Sequence, residues 1–201
     1  SLAAGVGLLA VGVPWERPGV FWGFLGLGLA SIVAAVTYTS GPRPYGYAGF
    51  GDLFVLIFFG WVGVLGTYYL HAGALRPLDA LPATACGLLA VGVLNVNNLR
   101  DLRADRRAGK HSIPVRLGPR GGRIYHWALL LGAMTCAVAF VLLTRGGAGR
   151  WLVVLSFPLL LRHGLMVWSR RAPPELDPLL KQLALTTLLF VGLLGIGAVL
   201  A

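Results

Sequence analysis

Between residues 95 and 118 the sequence runs NVNNLRDLRADRRAGKHSIPVRLG, gathering amides, two aspartates, arginines and a lysine in a chain that is otherwise mostly apolar. On a helix advancing about 100° per residue, Asn97, Asp101 and Asp105 fall at i, i+4 and i+8, and Asn98 joins them within an arc of roughly 100°. This predicts one oxygen-rich face, with Arg100, Arg103 and Arg107 directed to the other side of the helix. Carboxylate and amide oxygens suit a hard divalent cation, and Mg²⁺ is usually held by one or two carboxylates with water and phosphate oxygens completing its shell. The expectation is a Mg²⁺ site at Asn97, Asn98, Asp101 and Asp105, and a substrate that carries a diphosphate.

Other readings of the same residues stand beside this one. A basic cluster next to a membrane binds anionic headgroups, which would account for Arg103, Arg107, Arg120 and Arg123. Asp101 and Asp105 could be salt-bridged to arginines on a wet helix, worth only tenths of a kcal/mol. Asn97 and Asn98 could serve to pack helices. None of the three explains why amides and carboxylates share one arc and arginines another.

The elements that must position these residues are membrane spans. Mean hydropathy is +0.77 and only 12% of residues are charged, against about 25% in soluble domains. Six apolar runs, 19–38, 50–70, 78–96, 124–144, 151–168 and 179–201, have the length a crossing requires. A seventh, 1–13, is too short to cross alone and reads as the end of a span. It has no charged n-region and no cleavage pattern, so the sequence is expected to begin inside a helix rather than with a signal peptide. The predicted fold is all-α, one transmembrane bundle over residues 1–201.

With the connections alternating between two sides, thirteen basic residues fall on one side and four (Arg17, Arg76, Arg145 and Arg150) on the other. The positive-inside rule makes the richer side cytoplasmic, puts residues 95–118 there and leaves the C-terminus outside. The net charge of +10 thus belongs to short loops at one membrane face, which argues against nucleic acid as a partner. Cys86 and Cys136 fall inside apolar runs and read as small buried hydrophobes. Pro82 and Pro158, also inside apolar runs, read either as kinks beside a cavity or as packing features.

Two further loops share the basic side. TYTSGPRPYGYAGFGD, residues 37–52, cannot continue a helix and must turn at the membrane face. It reads as a tight connection, or as a cavity mouth at which Tyr38, Tyr45 and Tyr47 offer hydroxyls and ring faces and Arg43 meets an anion. In the loop 162–181, Arg162 and His163 are nearest the apolar run and are the candidates for cavity contact.

The string Asn-Asn-Leu-Arg-Asp-x-x-x-Asp-Arg-x-x-Gly-Lys, followed by Val-Arg-Leu-Gly, resembles the second aspartate-rich motif of the UbiA superfamily of intramembrane prenyltransferases. Its form is similar to the branch that prenylates 1,4-dihydroxy-2-naphthoate in menaquinone synthesis. The loop Tyr-Thr-Ser-Gly-Pro-Arg-Pro-Tyr-Gly-Tyr resembles that branch's other signature, with Ser40 where the family prefers glycine. The resemblance implies nine helices, of which this chain would supply helices three to nine. The first aspartate-rich motif, Asn-Asp-x-x-Asp between helices two and three, has no counterpart in these 201 residues. The chain alone is therefore expected to be inactive.

By the same resemblance, a polyprenyl diphosphate lies with its tail in the membrane and its diphosphate at the cytoplasmic mouth. Asp101 and Asp105, with Asn97 or Asn98, would hold Mg²⁺. Lys110, Arg43, Arg106 and Arg116 would contact phosphate oxygens, Arg bidentately and Lys as a point charge. Tyr45 and Tyr47 would shelter a developing allylic cation. The naphthoate ring attacks and loses its carboxyl as CO₂, and Arg43, Arg162 or His163 would meet that carboxylate. The competing classes are another aromatic prenyltransferase of this fold, a transporter, and a non-catalytic membrane subunit.

Overall fold

The computed structural model describes residues 2–13, 16–42, 44–145 and 147–200. Six helices have the length and apolarity to cross a bilayer, and the chain is an all-α, multi-pass membrane protein. In order the helices are α1 (Leu2–Gly12), α2 (Pro18–Thr39), α3 (Gly51–Ala72), α4 (Ala80–Arg100), the short α5 (Leu102–Arg107), α6 (Ile113–Leu143), α7 (Ala148–Ser169) and α8 (Pro173–Val199). All but α1 and α5 are spans, α4 together with the 3₁₀ turn Pro77–Asp79 that leads into it.

The spans match the six apolar runs, and the largest difference is α6. It starts at Ile113 rather than 124 because a first segment, opened by Pro114, joins the long one across a break at Gly118. There φ is +75°, open to glycine and strained for any residue with a Cβ. Pro82 and Pro158 interrupt no helix. Pro82 lies in the first turn of α4, where a missing N–H costs little, and Pro158 follows the point in α7 where 3₁₀ winding over Ala148–Ser156 passes into α.

The core belongs to four helices. Ala85 and Leu89 of α4, Leu130, Ala133, Ala137 and Val141 of α6, Val153 and Leu160 of α7, and Leu183 and Phe190 of α8 form one buried cluster. A second, smaller cluster of Val96, Leu99, Val167, Leu176 and Leu179 lies nearer the basic end. α3 joins this core by close approach to α4. A Cβ on Gly60 would come within 2.8 Å of the Ala83 carbonyl oxygen, and one on Gly87 within 2.7 Å of a Leu56 methyl, so the backbones meet where both helices lack side chains.

Arg123 departs from the headgroup-binding reading. It is 5% exposed, and its guanidinium donates to the carbonyls of Val167, Arg170 and Pro119. It therefore satisfies carbonyls at the end of α7 that no further helical turn can reach. Arg120, by contrast, is exposed as expected.

Candidate active site

The connections at the basic end converge. His111 N–H donates to the Tyr47 carbonyl at 2.8 Å, and Arg116 donates to the carbonyls of His111 and Ala48 at 2.9 and 2.6 Å. Gly49 makes this docking possible. Its φ is +85°, and any Cβ there would collide with the His111 carbonyl oxygen. Arg116, expected to contact phosphate, spends its donors on tying the 44–50 turn to the start of α6.

The expected oxygen-rich face is divided into two groups, each built around a cation. α4 ends at Arg100, and Asp101 takes φ −90° and ψ 7° before α5 begins. Arg100 does not point away. It makes two bonds of 2.8 and 2.7 Å to the Asp101 carboxylate, one of 2.8 Å to Asn97 Oδ1, and one of 2.7 Å to Asp177 on α8. Those bonds, with the positive charge behind them, hold the Asp101 carboxyl below the usual carboxylate range. The second group centres on Lys110, whose ammonium lies 2.9 Å from Asp105 Oδ2 and donates to Asn98 Oδ1 at 3.0 Å. Asn98 and Asp105 are pulled together because Gly109, at φ +69°, turns the chain back after α5. Arg103 and Arg107 are exposed, as read from the spacing.

Beside the Lys110 group is a cleft of about 10 Å³, lined in part by Tyr38, Asp52, Asn98, Lys110 and Ser112. Asp52 is 9% exposed and faces the Tyr125 side chain of α6. Sequence reasoning passed over this residue, although a lone acid at the head of an apolar span is itself a signal of function.

Two apolar cavities reach down from this head. One, of about 540 Å³, lies between α2 and α3 and is lined by Tyr38, Tyr45, Phe54 and Phe58 among others. Tyr45 stacks on Phe54 at 4.0 Å between ring centroids and donates its hydroxyl to the Ala34 carbonyl, so what it presents is a ring face. Burial, with Tyr38 close by, raises its pKa above the ordinary phenol value. The other cavity, of about 580 Å³, lies between α3, α4 and α8, has mainly aliphatic walls, and includes Asn97 in its lining. Val55, Phe59 and Leu94 line both.

The remaining candidates are not drawn into this cluster. Tyr47 is 40% exposed and joins it only through its backbone carbonyl. Arg106 is exposed on α5, and Arg162 is exposed on α7 while its neighbour His163 is fully buried. Arg43 lies outside the described residues. Among the described residues no three His, Cys, Asp or Glu side chains are grouped to hold a metal ion. The donor types nevertheless suit a hard cation. Asn97, Asn98, Asp101 and Asp105 offer oxygens now satisfied by side-chain cations, and Asp52 adds a further buried carboxylate.

A bundle of apolar spans with carboxylates, amides and cations gathered over membrane-depth cavities defines a multi-pass membrane protein with a polar site at one end. The chain belongs to the UbiA prenyltransferase family, which matches residues 1–185. It is 48% identical over 189 residues to the 1,4-dihydroxy-2-naphthoate octaprenyltransferase of Escherichia coli, covering 92% of this chain and 61% of that protein. To the protein of the same name from Haemophilus influenzae it is 45% identical over 191 residues, 95% of this chain and 62% of that one. The Mycobacterium tuberculosis protein so named is 39% identical over 189 residues, 93% and 60%. The chain thus spans about three fifths of the length of these relatives. No solved structure matches it significantly.

Proposed function

We propose that the protein transfers a polyprenyl chain from its diphosphate to 1,4-dihydroxy-2-naphthoate, releasing diphosphate and CO₂ and giving demethylmenaquinone. The observation that carries this reading is the adjacency of charge and grease. Asn97 both accepts from Arg100 and lines the 580 Å³ aliphatic cavity, so a diphosphate at the polar head can carry its apolar tail straight into the bundle. The names of the relatives point to the same substrates.

In this reading Asp101 and Asp105, with Asn97 and Asn98, would hold Mg²⁺, whose charge would offset that of the diphosphate leaving group. Lys110 and Arg100 contact phosphate oxygens, Arg100 bidentately and Lys110 as a point charge. Arg100 stays held at the head by Asp177, and Lys110 by the turn at Gly109, beside the position where the leaving group gains charge. The ring faces of Tyr45 and Phe54 stand in the neighbouring cavity, where they stabilise positive charge at the prenyl C1 and pack against a planar acceptor. Arg106 is free to meet phosphate from the loop, and Arg43 and Arg162 are left for the acceptor's carboxylate. The thirteen-to-four distribution of basic residues supports a cytoplasmic position for this head in the cell membrane and an outward C-terminus.

The test is transfer by the full-length protein in membranes onto naphthoate labelled in its carboxyl carbon. Labelled CO₂ should appear in step with a prenylated quinol. A prenylated product that keeps the label, or no transfer at all, would overturn the assignment.

A further inference from the structure

Within the four-helix core lies a polar group that the proposed reaction does not use. Asn95 of α4, His126 of α6 and His163 of α7 are each 0% exposed, and Gln182 reaches the same place from α8. The Asn95 amide donates to the Gly122 carbonyl at 3.0 Å, which fixes its orientation, and the same nitrogen faces His126 Nδ1 at 3.4 Å. Opposite a donor, Nδ1 of His126 offers its lone pair, and the proton of the neutral ring sits on Nε2. His163 is set the other way. Gln182 Oε1, which can only accept, lies 3.3 Å from its Nδ1, while the amide nitrogen of Gln182 turns to Met166 Sδ at 4.0 Å. The proton of His163 therefore sits on Nδ1, and Nε2 is bare.

The two rings lie with centroids 5.2 Å apart and planes tilted by 53°, and among the described residues neither buried Nε2 has a hydrogen-bond partner. One is a donor and the other an acceptor. Left unpaired in an apolar interior each would cost desolvation free energy, and a single water between them would satisfy both. We propose that His126 and His163 form a neutral pair of opposite tautomers, with His126 Nε2–H donating to a bridging water that donates to His163 Nε2, and that they act as positioning residues. The pair ties α6 to α7, and through Asn95 it fixes the rotation of α4, which carries Asn97 and Asn98 less than one turn further on. The positioning role rests on the reaction proposed above, whereas the tautomers do not.

The test is ¹⁵N NMR of the full chain in bilayers with labelled histidine. The exposed His71 and His111 are removed from the spectrum by His71→Gln and His111→Gln. The expected result is a protonated Nε2 on one buried ring and a protonated Nδ1 on the other, with exchange against bulk deuterium slow. Two rings of the same tautomer, or a cationic ring at neutral pH, would overturn the proposal. His163→Gln, whose Oε1 can still accept, should keep the thermal midpoint and hold prenyl transfer within about twofold, whereas His163→Leu should lower transfer about fivefold. The double variant His126→Leu with His163→Leu should recover part of the midpoint lost by the single one, since it no longer strands the His126 Nε2–H, although Gln182 Oε1 still loses its donor. Equal losses from Gln and Leu at 163, or strictly additive losses in the double variant, would also overturn it. If the wild type transfers no prenyl group, the reaction fails while the tautomers are still read from the spectrum.

Discussion

α2 and α4 are spans of nearly equal length, yet α2 buries one side chain, Ala34, where α4 buries ten residues. α4 is locked among α6, α7 and α8 by packed leucines and alanines, and it delivers Asn97, Asn98 and Arg100 to fixed places. α3 brings Asp52 to the same head and packs along α4 at the Gly60–Gly87 approach, where Trp61 Nε1 also donates to Thr84, whereas α2, which brings Tyr38, and the turn that carries Tyr45 are held mainly by loop hydrogen bonds. The site is thus assembled from one rigid wall and one tethered wall. Perturbing the rigid wall should damage the site directly, and perturbing the tethers should loosen it.

The largest expected effect follows from Lys110→Ala. Asp105 and Lys110 are 13% and 16% exposed, and removing the cation leaves a largely buried carboxylate uncompensated, at a cost of about 3 kcal/mol. Chemical denaturation reads it directly, and transfer should be lost with it. Next is Gly87→Leu, which overfills the α3–α4 contact. It should cost about 2 kcal/mol and lower the thermal midpoint, because the nearest obstacles include the Gly60 backbone, which cannot rotate away. A normal midpoint in this variant would mean that α3 is not seated on α4 as described.

Arg116→Leu tests the tether alone. Losing its two carbonyl bonds should cost about 1 kcal/mol and speed amide hydrogen exchange in residues 44–50 while leaving α4 and α6 protected. The Arg100–Asp101 pair has a pH signature. Asp101 titrates below its unfolded value, so the pair's contribution is present above that value and is lost as pH falls through the lower folded one. Between pH 5 and 8 it should be constant, as ¹³C-carboxyl NMR can check. The smallest effect belongs to Arg106→Ala. This exposed side chain should change stability by less than about 0.5 kcal/mol and raise KM for the diphosphate substrate only modestly.

The spans were legible because each is a long apolar run, and the polar head because amides and acids interrupt those runs in a recognisable string. Helical spacing placed Arg103 and Arg107 correctly and Arg100 wrongly. A periodicity argument assumes an unbroken helix, and the bend at Asp101 lets Arg100 fold back onto the carboxylate beside it. Arg116 and Arg123 show a related difficulty, since both also bond to backbone carbonyls that the sequence could not place near them. A basic residue near a membrane reads as an anion binder unless one knows which carbonyls lie within its reach, and those belong to Ala48, Val167 and Arg170, far off in sequence. Asn95, His126 and His163 sit singly in apolar segments, and only the packing of four helices makes a group of them.

The central claim is that the Asn97–Lys110 segment builds a cation-dependent diphosphate site over an apolar cavity. Its most direct measurement is Mg²⁺-dependent prenyl transfer to dihydroxynaphthoate by the full-length protein in membranes, compared with Asp101→Ala and Asp105→Ala. The account predicts that chelation abolishes transfer in the wild type and that each variant loses about a hundredfold or more even at saturating Mg²⁺. Wild-type rates in both variants, or transfer that survives chelation, would contradict it.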